Sequence, residues 1–106
     1  MNPEEIFHRL QKAGDEFADL NAAADLLEET KYTLLSQCAA DYPNESNASA
    51  EAKARRDPRF IEHLTAMVHA RKLANKAKVK VTSIQTWVDL MRSKQATERA
   101  MITKGL

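Results

Sequence analysis

Ile6, Leu10, Ala13, Phe17, Leu20, Ala24, Leu27, Lys31, Leu34 and Cys38 follow one another in alternating steps of four and three residues, and only Lys31 among them is polar. This spacing returns a side chain to one face of an α-helix at every turn. It is the heptad seam of a helix that lies along another helix. A seam of this length restricts the chain to all-α architectures in which a second long helix covers the first.

The start and stop signals agree. Asn2-Pro3-Glu4-Glu5 supplies a capping side chain, a proline suited to the first helical position and two carboxylates at the positive end of the helix dipole. A helix is therefore expected over 3–41. It ends there because Pro43 disfavours a helical Tyr42, and because Asn44-Glu45-Ser46-Asn47 competes for its own backbone hydrogen bonds. A loop with a possible short helix is expected over 42–57. Asp57-Pro58 then repeats the cap-and-proline signal, opening a second long helix over 58–95 or beyond. Its apolar positions are Phe60, Met67, Ala70, Ala74, Ala77, Val81, Ile84, Val88 and Met91, with Leu64, Leu73, Trp87 and Leu90 widening the stripe. The β-branched run Val79–Ile84 alternates as a strand would, but an isolated strand has nothing to pair with, so helix is the expectation there as well. Gly14 falls inside the first pattern, where it costs ~1 kcal/mol relative to Ala unless close packing needs the missing side chain.

Charge is divided between the two halves. Residues 1–51 hold 11 acidic and 3 basic side chains, while residues 52–106 hold 4 acidic and 13 basic. Antiparallel pairing of the helices sets Arg71, Lys72 and Lys76 near Asp25, Glu28 and Glu29, Lys78 and Lys80 near Asp19, and Arg92 and Lys94 toward Glu4 and Glu5. It also places Ala24 and Leu27 beside the stretch 67–77, Leu20 beside Val81, and Ala13-Gly14 across from Trp87 and Val88, so that small faces large. The expected fold is a single domain over 1–106, an antiparallel helical hairpin. Aromatic residues make up 6% of the chain, so its core is thin. Leu35, Leu64, Leu73 and Leu90 lie partly off the seam and are candidates for self-association into a dimeric four-helix bundle. The alternative is a third packing element drawn from residues 45–56 of the same chain.

Catalytic chemistry is not indicated. His8, His63 and His69 form no metal-ligand spacing, and Cys38 on the seam reads as a small buried hydrophobe; no catalytic, metal or cofactor site is expected. The lone cysteine, the lack of a leader-like apolar segment after Met1 and the short apolar runs point to a cytoplasmic protein without a membrane span. The one strong candidate for an external ligand is the basic set Arg55, Arg56, Arg59, Arg71, Lys72, Lys76 and Lys80, which suits an anionic partner or nucleic acid. Pairing with the acidic helix neutralises much of this set, and no aromatics interleave it, so an internally paired, solvated face outweighs nucleic-acid contact. Arg55, Arg56 and Arg59, near the loop, are the least matched.

The blocks Ala22–Lys31, Asp57-Pro58 leading to His69-Ala70-Arg71 and Ala74–Ala77, and Gln95–Met101 resemble a group of small helical proteins encoded by tailed phages and prophages. The resemblance covers most of the chain and carries no catalytic residues. It implies an accessory protein in a bacterial host's cytoplasm, acting through self-association and contacts with phage or host proteins, in a setting of DNA recombination or replication. Direct DNA binding and inhibition of a host protein are the competing expectations.

Overall fold

The computed structural model describes residues 2–105. Three α-helices make up the chain in the order α1 (Pro3–Ala39), α2 (Asn47–Ala54) and α3 (Pro58–Thr103), and no strand occurs among the described residues. Each helix starts where its capping chemistry directs. At α1 the Asn2 side-chain oxygen accepts from the Glu5 backbone N–H (2.9 Å), while Asn2 Nδ2 donates back to Glu5 Oε1 (3.4 Å), a reciprocal box around Pro3. Ser46 caps α2 by accepting from the Ser49 N–H (3.2 Å). Asp57 caps α3 through Oδ1, which accepts from the Arg59 N–H at 2.8 Å.

Helix α1 closes with the Ala40 N–H bonded to the Ser36 carbonyl, followed by tighter turns from Asp41 to Cys38 and from Tyr42 to Ala39. The helix ends at Ala39, before the expected Asp41, because these tighter bonds satisfy its last carbonyls ahead of Pro43. Helix α3 continues through Val79–Ile84 and past Gln95, where the apolar periodicity fades. Neither glycine nor proline interrupts it before Gly105, whose φ of +73° lies in the left-handed region that terminates helices.

Packing divides the chain into two compact units, Ala18–Asn75 and Met1–Phe17 with Lys76–Leu106. The first contains nearly all of the buried side chains. Leu35, Cys38, Ala54 and Phe60 form a cluster, and Leu34, Ala39 and Leu64 pack against it. Phe60 is 2% exposed and Leu35 6%, while Ala24, Ala54 and Ala74 are fully covered. Helix α2 thus supplies a third packing surface through Ala54. Among the described residues of the second unit only Ala13 and Ala77 are buried; Ile6, Leu10, Ile84 and Val88 are half-buried, and Phe7 and Leu90 are exposed.

Gly14 belongs to the second unit, and a Cβ built on it meets nothing within 4 Å. Close packing therefore does not require the glycine. Gly14→Ala is expected to raise stability by ~0.8–1 kcal/mol through helix propensity. The check is urea denaturation followed by circular dichroism, and a destabilised variant would refute the expectation.

Candidate functional site

The seven basic residues singled out by sequence separate into two groups. Arg71 is the most fully engaged. Asn21, Asp25 and Glu28 recur at helical spacing on one face of α1, and the guanidinium of Arg71 spans all three. Nη1 donates to Asn21 Oδ1 (2.8 Å), Nη2 to Asp25 Oδ1 (2.6 Å) and Glu28 Oε2 (2.9 Å), and Nε to Glu28 Oε1 (2.8 Å). The two-pronged hold on Glu28 uses the planar fork that distinguishes arginine from lysine. These bonds raise the affinity of Arg71 for its proton, and the Arg71 bond holds the Glu28 carboxyl below its ordinary range. The expected proximity of Arg71 to Asp25 and Glu28 is therefore present.

Arg59 is held by Asp57 (2.8 Å) and Asp41 (2.6 Å). The bonds from the Arg59 side chain and backbone lower the Asp57 carboxyl to about 2. Arg55 pairs with Glu51 one turn earlier on α2 (2.8 Å), and Lys80 stands 3.7 Å from Glu16. Two expectations change here. Arg55 and Arg59 are matched after all, because α2 presents Glu51 and the turn after α1 presents Asp41 to them. Lys80 pairs with Glu16, where Asp19 was the expected partner. Arg56, Lys72 and Lys76 are exposed and make no ion pair among the described residues. Arg92 lies on a groove beside Pro3 and forms no ion pair with Glu4 or Glu5, and Glu5 is instead drawn into the capping box with Asn2.

The four leucines also separate. Leu35 is buried in the cluster with Phe60, and Leu64, half-buried, packs against that cluster. Leu35 is thus covered within its own chain, with Ala54 of α2 in the same cluster, while Leu64 keeps part of its surface exposed. Leu73 and Leu90 remain exposed. Ala13 shares a groove with Lys80, Ser83 and Ile84, whereas Trp87 shares one with Ile6, Arg9 and Ile84; Trp87 thus lies closer to the start of α1 than the expected pairing with Ala13-Gly14.

His63 is part-buried, with Nε2 2.7 Å from the Leu27 carbonyl oxygen. A carbonyl only accepts, so the ring carries its proton on that nitrogen. Among the described residues no group of three or more His, Cys, Asp and Glu side chains is arranged to hold a metal ion. Cys38 is a free, buried thiol whose pKa is raised by desolvation. No described helix is long and apolar enough to cross a membrane. Comparison with protein-family models, with curated proteins and with solved structures gives no significant match for this chain.

Proposed function

We propose that this chain is a non-enzymatic helical module that works through protein contacts, with α1 and α3 paired as an antiparallel hairpin and two copies joined into a bundle. The observation that carries the reading is the incomplete core of the unit Met1–Phe17 with Lys76–Leu106, which buries no large side chain among the described residues and leaves Phe7 63% exposed. Phe7 lines a groove of about 310 Å³ with Pro3, Ile6, Leu10, Val88 and Met91. An apolar groove of this kind, half-open along a helix pair, suits the same surface of a second molecule. Arg92 lines the same groove on the α3 side and makes no ion pair among the described residues, so its charge is available to an acid of the other copy. The pairs Asp41–Arg59 and Asp25–Arg71 in one unit, and Glu16–Lys80 in the other, support the antiparallel hairpin. A phage accessory role in the cytoplasm of a bacterial host rests on the sequence resemblance alone.

Sedimentation equilibrium over a wide concentration range tests the reading. The expected mass is twice the 11.9 kDa of the chain. Phe7→Glu should return the protein to monomer with its helicity intact. A wild-type protein that stays monomeric at high micromolar concentration overturns the proposal. Nucleic-acid contact through Arg56, Lys72 and Lys76 is the second reading, favoured by their lack of acidic partners among the described residues.

A further inference from the structure

A different groove of the same unit combines cations with the chain's single tryptophan. The acidic half of the sequence contains only three basic residues, Arg9, Lys12 and Lys31. Two of them, Arg9 and Lys12, stand one turn apart on α1 and line an open groove of about 600 Å³ with Ala13, Lys80, Ser83 and Ile84. Arg9, Ser83 and Ile84 also line a second groove of about 230 Å³, which adds Ile6 and Trp87. The two grooves are therefore contiguous. From α3 the contributing side chains are Lys80, Ser83 and Trp87, at the i, i+3 and i+7 spacing that keeps them on one face.

The electrostatics favour an anion. Arg9 and Lys12 make no ion pair among the described residues, and Glu16 is the one carboxylate paired with the groove's cations, 3.7 Å from Lys80. Three cations against one carboxylate leave the groove basic. Trp87 is 40% exposed beside them, so a large indole surface stays in contact with water. A basic groove that ends on an accessible aromatic ring is the recurring arrangement for single-stranded nucleic acid: the cations follow the phosphates and the ring stacks on a base.

We infer that the groove formed by Arg9, Lys12, Lys80, Ser83 and Trp87 binds a short stretch of single-stranded nucleic acid, with phosphates on the three cations and a base against Trp87. An acidic peptide satisfies the cations but brings a flat partner for the indole only where an aromatic side chain happens to follow its carboxylates, whereas every nucleotide carries both a phosphate and a planar ring. A duplex keeps its bases stacked on one another and offers the ring much less. The site shares only Lys80 with the basic set read from the sequence, and it does not depend on whether two copies associate through the Phe7 groove.

Trp87 is itself the reporter, because no other tryptophan contributes to the fluorescence. Titration with a short oligothymidylate at low ionic strength should quench it, and added salt should reverse the effect. The double variant Arg9→Gln with Lys12→Gln keeps good helix-forming residues at exposed positions. It should retain wild-type helicity, bind at least tenfold more weakly, and lower the slope of log affinity against log salt by roughly 0.7 for each phosphate that is no longer neutralised. A second variant, Arg56→Gln with Lys72→Gln and Lys76→Gln, should leave the quenching unchanged. The inference is overturned if oligothymidylate leaves the fluorescence unaltered at low salt, if polyglutamate binds as tightly, if the Arg9/Lys12 variant binds as the wild type does, or if the Arg56/Lys72/Lys76 variant is the one that loses binding.

Discussion

Replacing Phe60 with Ala is expected to cost ~3–5 kcal/mol, the range for truncating a fully buried aromatic side chain. Phe60 is the largest side chain in the cluster with Leu35, Cys38 and Ala54, and at 2% exposure it is almost completely shielded from water. Few side chains share the load. Leu35 is the only other large aliphatic fully buried there, the remaining cluster members are an alanine and a cysteine, and Leu34 and Leu64 reach the cluster only from its half-exposed edge. Small domains are stable by only ~5–15 kcal/mol in total, so a loss of this size leaves a large unfolded fraction near body temperature. Two measurements check it. The urea midpoint should fall steeply in Phe60→Ala and much less in Phe60→Leu. The Cys38 thiol, shielded in the wild type, should become readily modified by a disulfide reagent in the Ala variant without denaturant. A Phe60→Ala protein with an unchanged midpoint and an unreactive Cys38 would show that the cluster is not what holds this unit together.

The helices were legible because their determinants are local. Asn2-Pro3 and Asp57-Pro58 mark the starts of α1 and α3 through backbone chemistry that operates within one turn, and the seam from Ile6 to Cys38 falls on positions that are buried or half-buried throughout. The Arg71 network was legible too, since long side chains of opposite charge tolerate an error of a residue or so in register. What escaped sequence reading depended on where a third element or a partner helix would stand. Leu35 and Leu64 lie off the seam and looked uncovered, yet Ala54 of α2 joins the same cluster, and nothing in an alanine-rich octapeptide announces which face of α1 it will meet. Tallying charge by halves concealed Arg9 and Lys12, because a net acidic helix can still aim its few cations at one groove. Trp87 shifted its expected neighbours by about one turn, enough to join it to Arg9 and so to supply the aromatic that the linear basic run lacked.

Ala74→Leu is expected to destabilise the protein by ~1–3 kcal/mol, although leucine is more apolar than alanine and nearly its equal as a helix former. The reason is geometric. Ala24 on α1 and Ala74 on α3 both have no exposed surface and lie in the same compact unit. A methyl group is covered so completely only where surrounding atoms close in around it, which leaves no space for three further carbons without displacing backbone or forcing neighbours off their rotamers. Arg71, one turn before Ala74 on α3, is fastened to Asn21, Asp25 and Glu28, so relaxing the helices apart would also stretch those bonds. The comparison that isolates this effect is Ala66→Leu, an exposed position on the same helix, which should change stability by no more than about 0.5 kcal/mol. If both variants unfold at the wild-type urea concentration, α3 is not closely covered at Ala74, and the small residues of this stretch reflect helix propensity in place of packing.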